Sequence, residues 1–243
     1  MPTLLLLGAT SDIGLAIARR FAEARYDIQL AARQVEALEP TRADLSIRYG
    51  VNCTAHRFEA GDFAGHAAFF DSLPAQPDVT VYVIGYMTDN LKAAEQWSES
   101  KLTIEANYTG AVSLLNHVAA SYAAQNRGAI VGVSSVAGLR GRQSNYIYGS
   151  AKAGFTAYLA GLRNYLYHRQ VHVLTVLPGF VYTKMTEHLK LPKPLTAQPA
   201  DVANVIYHGV LKKSNVVYVK WFWRWIMLII TSIPEALFKK LKL

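Results

Sequence analysis

The chain has 243 residues, of which 51% are hydrophobic and 17% are charged, and its net charge at pH 7 is +8. These values exclude a disordered protein and predict one well-buried α/β domain rather than two. The single cysteine, Cys53, excludes an internal disulfide and predicts a reducing compartment, the cytoplasm. No segment is apolar over the ~18–20 residues that span a bilayer, and the apolar run Thr3–Leu7 is too short for a secretory signal.

The positive charge is concentrated at the C-terminal end. From Leu211 onward there are seven cations, one acid (Glu235) and three of the four tryptophans, so this segment carries +6 of the net charge of +8. Cations interleaved with Trp221, Trp223 and Trp225 are typical of a segment at an anionic membrane surface. No zinc-ligand spacing or RNA-binding signature accompanies the charge, so neither a metal site nor a nucleic-acid partner is expected.

Short β-rich runs alternate with stretches of helical apolar spacing, which predicts an α/β fold with a parallel sheet covered on both faces. The predicted strands are Thr3–Gly8, Asp27–Ala31, Cys53–Phe58, Val79–Ile84, Ala129–Ser134, Val171–Leu177 and Val216–Val219. The predicted helices are Ile13–Ala24, Ala64–Ser72, Lys101–Gln125, Tyr148–Arg169 and Ala200–Lys212, with one more near Pro40. The longest break, Tyr182–Pro199, is expected to cover the active site.

The first predicted strand runs into Gly8-Ala-Thr-Ser-Asp-Ile-Gly14, which opens the first helix. This is the context of a dinucleotide-binding fingerprint. Gly8 permits the tight turn, Gly14 permits close packing, and the helix N-terminus offers N–H groups to a pyrophosphate. Asp12 stands where a middle glycine is expected, so we expect its carboxylate to point away from phosphates or to cap the helix. An ordinary strand–turn–helix with an Asp cap is the alternative.

The second predicted strand leads into Leu30-Ala-Ala-Arg33, where an NAD enzyme usually places an acid for the ribose 2′-hydroxyl. The acid is absent, and the guanidinium of Arg33 suits a 2′-phosphate instead. We therefore expect NADP as the cofactor, with NAD as the second choice. A plain surface charge is the alternative role for Arg33.

Tyr148 and Lys152 carry the strongest chemical signal. Four residues is just over one helical turn, so both side chains project from one helix face, about 5–6 Å apart at Cβ. An ammonium at that distance is expected to favour the phenolate and to lower the pKa of Tyr148 toward the working pH. Such a tyrosine is a general acid/base for an alcohol or a carbonyl. Ser135, after the fifth predicted strand, could hydrogen-bond the same reacting oxygen.

These residues, with Asn107 and Pro178-Gly-Phe-Val-Tyr-Thr183, resemble the short-chain dehydrogenase/reductase family over nearly the whole chain. The resemblance implies a doubly wound Rossmann fold with a seven-stranded parallel sheet, a homodimer or homotetramer, and hydride transfer between a nicotinamide and a carbonyl or alcohol. By matching position, Tyr148 is the acid/base, and Lys152 lowers its pKa and holds the nicotinamide ribose. Ser135 orients the reacting oxygen, and Asn107 belongs to a proton relay that ends at Lys152.

The resemblance also implies a set of cofactor contacts and shows three departures from the family pattern. Asp12 replaces the middle glycine, Val83-Ile84-Gly85-Tyr86 replaces Asn-Asn-Ala-Gly, and Glu59 stands where an Asp usually meets the adenine. The implied cofactor-binding residues are Gly8, Thr10, Ser11, Asp12, Ile13, Gly14, Arg33, Glu59, Gly85, Asn107, Tyr148, Lys152, Pro178, Gly179, Val181 and Thr183.

A narrower likeness within this family is to the decaprenylphosphoryl-2-keto-ribose reductases. It rests on Glu105–Thr109, on Pro178–Lys190, and on a tail from Arg224 to Leu241 that contains Ser-Ile-Pro and Phe-Lys-Lys-Leu. Those enzymes reduce a keto sugar carried on a polyprenyl phosphate and complete an epimerisation that a flavoprotein oxidase begins. The likeness implies a lipid-linked keto substrate, a flavoprotein partner and a role in building the cell envelope.

Arg140 and Arg142 fall between Ser135 and Tyr148, a stretch that usually lines the substrate pocket in the family. Two guanidiniums there could bind a phosphate. The alternative is that both are solvated charges on a surface loop. The predicted substrate contacts are Ser135, Arg140, Arg142 and Tyr148. The same phosphate-binding role is suggested for three residues of the covering segment, Lys184, His188 and Lys190.

We expect residues 1–219 to form the nucleotide-binding domain with its catalytic site, and residues 220–243 to form an apolar and basic tail. As a helix, Trp221–Ile233 would measure only ~20 Å against the ~30 Å hydrocarbon core. The tail is therefore expected to lie on the inner face of the membrane without crossing it, and burial between subunits is the alternative. Two other functions stay open: a reductase of another apolar carbonyl, such as a 3-oxoacyl chain or a steroid, and a non-catalytic dinucleotide-binding scaffold.

Overall fold

The fold is built on one sheet of seven parallel strands, seen in a computed structural model that describes residues 1–187 and 191–241. The strands are β1 (Thr3–Leu7), β2 (Asp27–Ala32), β3 (Cys53–Arg57), β4 (Val79–Tyr82), β5 (Ala129–Val133), β6 (His172–Pro178) and β7 (Val216–Val219). Their order across the sheet is β3-β2-β1-β4-β5-β6-β7, and all six pairings are parallel. The strand order reverses between β1 and β4, as in a doubly wound Rossmann fold. The predicted fold class is confirmed.

Helices connect the strands and cover both faces of the sheet. They are α1 (Asp12–Glu23), α2 (Glu39–Tyr49), α3 (His66–Asp71), α4 (Asn90–Glu95), α5 (Trp97–Ile104), α6 (Gly110–Gln125), α7 (Tyr146–Leu166), α8 (Pro199–Leu211), α9 (Phe222–Ser232) and α10 (Glu235–Phe238). None of the described helices combines the length and the apolarity that crossing a bilayer requires.

Both faces of the sheet are packed. Leu4 and Leu6 of β1 belong to one buried cluster, and Leu5 and Leu7 belong to another. Successive side chains of a strand point to opposite faces, so a strand covered on both sides must be apolar at every position. This is why the run of four leucines forms a central strand.

The structure corrects three details of the predicted elements. The single helix expected over Lys101–Gln125 is divided, because a π-helical turn at Glu105–Thr109 separates α5 from α6. Helix α7 begins at Tyr146, two residues before its predicted start. Helix α4 was not predicted, since it has only six residues; its first turn is capped by the carboxylate of Asp89, which accepts from two backbone N–H groups at 3.0 Å.

The C-terminal tail packs against the sheet domain through one face of α9. Trp223 and Met227 are 4% and 1% exposed, respectively. The indole lies so close to Gly179, just after β6, that a Cβ at Gly179 would sit 2.0 Å from the Trp223 ring. The indole N–H also donates to the carbonyl of Leu195 at 3.2 Å. The tail is thus attached to the segment that follows β6.

This packing predicts that Trp223→Ala lowers the free energy of unfolding by ~3–5 kcal/mol, the usual cost of emptying a buried aromatic site. The matched control is Trp225→Ala, two residues away and 55% exposed, which should change stability by less than ~0.5 kcal/mol. Urea unfolding of both variants provides the measurement. Equal losses in the two variants would contradict this packing of the tail.

Candidate active site

The loop between β1 and α1 has the geometry of a phosphate-binding turn. Gly8 has φ +96°, a left-handed conformation that side chains other than glycine rarely adopt. The Ser11 hydroxyl caps α1 by accepting from the N–H of Gly14 at 3.0 Å. A Cβ at Gly14 would lie 2.4 Å from the Gly8 carbonyl oxygen, so only glycine allows this approach. The loop therefore presents the N-terminus of α1 to a ligand.

A cavity of about 330 Å³ opens in front of this loop, at the carboxyl ends of β1 to β4. It falls within the range of small-molecule sites. The predicted cofactor residues that line it are Gly8, Thr10, Ser11, Asp12, Ile13, Arg33, Glu59, Gly85 and Thr183. The other predicted cofactor residues lie outside its lining: Gly14, Asn107, Tyr148, Lys152, Pro178, Gly179 and Val181.

Ser135, Tyr148 and Lys152 come together beside the end of β5. Ser135 follows that strand, and its hydroxyl accepts from the N–H of Ala137 at 3.1 Å. Tyr148 and Lys152 lie on α7, and the Lys152 ammonium nitrogen is 5.8 Å from the centre of the Tyr148 ring. Lys152 is 3% exposed, and its Nζ donates to the carbonyl of Val133 at 3.0 Å. Tyr148 and Lys152 therefore lie one turn apart on α7 with their functional groups close together.

The predicted fall in the pKa of Tyr148 is not found. Burial raises the pKa of the Tyr148 phenol to about 12, and hydrogen bonding to Ser135 only opposes this rise. Burial also lowers the pKa of Lys152 to about 7, so the lysine is only partly charged at neutral pH. Removal from water is the main cause of both shifts, because each group loses the hydration of its charged form. Tyr148 is therefore a protonated phenol in the neutral range.

Asn107 lies in the π-helical turn, where its side chain is fully buried. Its Nδ2 donates to the carbonyls of Tyr86 and Thr103 at 2.6 and 2.8 Å. Its Oδ1 has no hydrogen-bond partner among the described residues. A Cβ at Gly85 would lie 3.1 Å from this Oδ1 and 3.8 Å from Lys152 Nζ. Asn107 and Lys152 thus approach the same point next to the cavity.

Comparisons with known proteins agree with this geometry. The sequence profile described as short chain dehydrogenase matches residues 2–193. An uncharacterized oxidoreductase of Mycobacterium tuberculosis is 33% identical over 97% of this chain and 95% of its own length. The chain belongs to the short-chain dehydrogenase family.

Two further likenesses cover most of the chain. The 3-oxoacyl-[acyl-carrier-protein] reductase of Bos taurus is 25% identical over 76% of this chain and 77% of its own. A solved short-chain dehydrogenase from Sphingobium yanoikuyae, in complex with NADPH, shares the fold with a TM-score of 0.84. It is 24% identical and covers 97% of this chain and 98% of its own.

The residues of the cavity fit the dinucleotide of a short-chain dehydrogenase. The glycine turn leaves room for a pyrophosphate at the start of α1, where free N–H groups are available. Arg33 directly follows β2, is exposed and lines the cavity. Among the described residues, no group of three or more His, Cys, Asp and Glu side chains could hold a metal ion.

Asp12, which replaces the middle glycine of the family pattern, does not cap α1. Ser11 is the cap, and the Asp12 carboxylate accepts from the backbone N–H of Lys184 at 2.7 Å. Both residues line the cavity. Asp12 therefore joins the nucleotide loop to the covering segment, a contact between positions 172 residues apart.

The two arginines predicted to bind substrate are in different surroundings. The Arg140 guanidinium donates to the carbonyl of Ile233 at 3.2 Å and to Glu235 Oε2 at 2.6 Å, and it lies over the Phe238 ring. These contacts favour a role in holding the tail over a role in binding phosphate. Arg142 is partly buried, and burial lowers its pKa. His188 and Lys190 lie outside the described residues, and Lys184 lines the cofactor cavity.

Two residues near the cavity were missed by the sequence analysis. Tyr86 lines the cavity, and its hydroxyl donates a hydrogen bond to Glu99 Oε2 at 2.5 Å. The other carboxylate oxygen of Glu99 pairs with Lys92 Nζ, also at 2.5 Å. His66 is buried and hydrogen-bonds the Glu59 carbonyl at 3.0 Å, so it fixes the loop after β3. A single tyrosine or histidine has no spacing pattern that would predict its role. The departure of Val83–Tyr86 from the family pattern was the one signal that pointed to Tyr86.

The buried lysine gives a pH-dependent prediction. Burial holds the pKa of Lys152 at about 7, against an ordinary value of 10.5. Between these values the unfolded chain binds more protons than the folded one, so stability rises with pH. Lys152→Met should therefore stabilise the protein most below about pH 7, and the gain should shrink toward about pH 10.

Urea unfolding across that pH range measures the effect, with Lys212→Met as the matched control at an exposed lysine. The control should show a small difference from wild type that varies little with pH. A difference between wild type and Lys152→Met that stays constant with pH would contradict the lowered pKa.

Proposed function

We propose that this chain is an NADPH-dependent reductase of a keto group, with Asn107, Ser135, Tyr148 and Lys152 as its catalytic residues. The observation that supports the proposal most strongly is the meeting of Ser135, Tyr148 and Lys152 beside a nucleotide-sized cavity. A scaffold without catalysis has no need for a tyrosine, a serine and a buried lysine at that point. A catalytic reading explains all three residues.

The proton step follows from the pKa of the phenol. When bound, the nicotinamide supplies a hydride to the carbonyl carbon. Tyr148, protonated at neutral pH, gives its proton to the carbonyl oxygen, and Ser135 hydrogen-bonds that oxygen to orient it. Lys152 returns a proton to Tyr148, and the free Oδ1 of Asn107, which lies next to Gly85 as Lys152 Nζ does, can accept a hydrogen bond within this relay. Because the Tyr148 phenol is protonated at neutral pH, it holds the proton that the reduction of a carbonyl consumes.

Arg33 supports NADPH over NADH. Its guanidinium lies after β2, the position where this fold contacts the 2′ group of the adenine ribose. A guanidinium can pair with a 2′-phosphate in a bidentate way, whereas a 2′-hydroxyl prefers a carboxylate. NADPH is therefore the proposed cofactor.

For the substrate, we propose a keto sugar linked to a polyprenyl phosphate. The support is the likeness of Glu105–Thr109, the segment after β6 and the tail to reductases of that substrate, together with the exposed apolar side chains of α9. A flavoprotein oxidase would then supply the keto sugar, in the building of the cell envelope. The family's usual homodimer or homotetramer is proposed for this chain as well. A 3-oxoacyl substrate is the second candidate, favoured by the likeness to the Bos taurus reductase.

The decisive assay offers the purified protein NADPH with either a polyprenylphosphate keto sugar or a 3-oxoacyl thioester and follows the loss of nicotinamide absorbance. We expect faster turnover of the keto sugar, and a higher kcat/KM with NADPH than with NADH. Tyr148→Phe should lower turnover by ~10²–10⁴ because no proton reaches the forming alkoxide.

The matched control is Tyr146→Phe, an exposed tyrosine on the same helix, which should keep wild-type turnover. Faster turnover of the thioester would contradict the keto-sugar assignment and favour a 3-oxoacyl substrate. Equal turnover of Tyr148→Phe and wild type would refute the catalytic assignment itself.

A further inference from the structure

Helix α9 has two apolar faces, and only one of them is covered. Trp223 and Met227, four residues apart, are buried against the sheet domain. Trp225, Leu228 and Ile229 lie on the opposite side and are 55%, 53% and 68% exposed. Since large apolar groups at i, i+3 and i+4 form one continuous stripe on a helix, the exposed residues make a patch rather than isolated positions.

The tail that carries the patch also carries exposed cations and no unpaired acid among its described residues. Arg224 on α9 and Lys239 and Lys240 after α10 are exposed. The one acid between Trp221 and Leu241 is Glu235, whose carboxylate is held at 2.6 Å by Arg140. The charge of Glu235 is thus neutralised by a residue of the domain, and the charge that remains on the tail is positive.

Several contacts hold this segment in place beside the active site. The Trp223 indole donates to the carbonyl of Leu195 in the covering segment, and it packs on Gly179 at the end of β6. Arg140, five residues after Ser135, donates to the carbonyls of Thr231 and Ile233. The exposed stripe is therefore presented by a fixed element, next to the segments that border the catalytic residues.

We propose that this surface, the tail face, docks on an anionic lipid bilayer with α9 lying in the plane of the interface. The tail face consists of Trp221, Arg224, Trp225, Leu228, Ile229, Lys239 and Lys240. Its composition, with aromatic and aliphatic groups on a stripe and cations beside it, is that of an interfacial helix. The 11 residues of α9 measure only ~16 Å, too short to cross a bilayer.

The charge distribution favours lipid over a second copy of the chain. A symmetric contact between two tail faces would bring Arg224, Lys239 and Lys240 of each copy toward the same cations of the other. Like charges at an interface are unfavourable, whereas anionic headgroups attract and neutralise such cations. The proposal does not depend on the reductase activity, because docking needs neither cofactor nor substrate.

Vesicle sedimentation of the full-length protein tests the proposal. Wild type should co-sediment with vesicles of phosphatidylcholine and phosphatidylglycerol, and much less with phosphatidylcholine alone. Ile229→Ser should weaken partitioning by ~10-fold, as expected from the loss of one buried aliphatic side chain. Lys239→Glu with Lys240→Glu should weaken it by more than ~10-fold, because two attractions become repulsions.

Two matched controls separate this surface from general effects. Ile47→Ser removes an exposed isoleucine of α2. Lys212→Glu with Lys213→Glu reverses two cations that precede the amino end of β7, whereas the tail follows its carboxyl end. Both controls should partition like wild type, and all variants should keep the wild-type circular dichroism and thermal midpoint.

Three results would overturn the proposal. The first is a wild type that sediments with neither kind of vesicle. The second is a pair of tail variants that partition like their controls. The third combines two results: wild type does not sediment with vesicles, and Ile229→Ser dissociates into smaller species in velocity sedimentation. That combination would make a second copy of the chain the occupant of the tail face.

Discussion

The parallel alignment of the seven strands is the constraint on which the site depends. Every strand of such a sheet ends at the same edge, so the residues that follow the strands meet there whatever their separation in sequence. Gly8, Arg33, Gly85 and Ser135 follow β1, β2, β4 and β5 in this way. The tail follows β7 and reaches the same edge. One packing rule thus places the nucleotide cavity, the proposed catalytic residues and the start of the tail at one edge of the sheet.

Burial, more than charge pairing, sets the chemistry at this edge. Lys152 is a buried residue of α7 whose Nζ donates to the carbonyl of Val133 on β5, and burial lowers its pKa to about 7. Tyr148 keeps its proton for the same reason. A family likeness alone implies a phenol made acidic by its lysine, but the packing of this chain favours a phenol that stays protonated until a carbonyl oxygen requires the proton.

The sequence predicted the sheet well, because strands buried on both faces are continuous apolar runs and these are easily recognised. Of the loop residues expected to contact the cofactor, Gly8, Thr10, Ser11, Asp12 and Ile13 line the cavity, and Gly14 does not. The sequence did not predict contacts between segments that are far apart in the chain. The bond from Asp12 to Lys184 and the contact of Arg140 with the tail join positions far apart in the chain, and both residues had been assigned other roles. The π-helical turn around Asn107 has no periodicity signal of its own.

We propose that the cavity at the ends of β1 to β4 holds NADPH with its nicotinamide beside Tyr148 and Ser135. A crystal structure of the protein grown with NADPH would show where each end of the cofactor lies. We expect the pyrophosphate at the Gly8–Gly14 turn, the 2′-phosphate at Arg33 and the nicotinamide ring in contact with Tyr148. A cofactor bound elsewhere, or one bound in this cavity with its adenine beside Tyr148, would contradict the account.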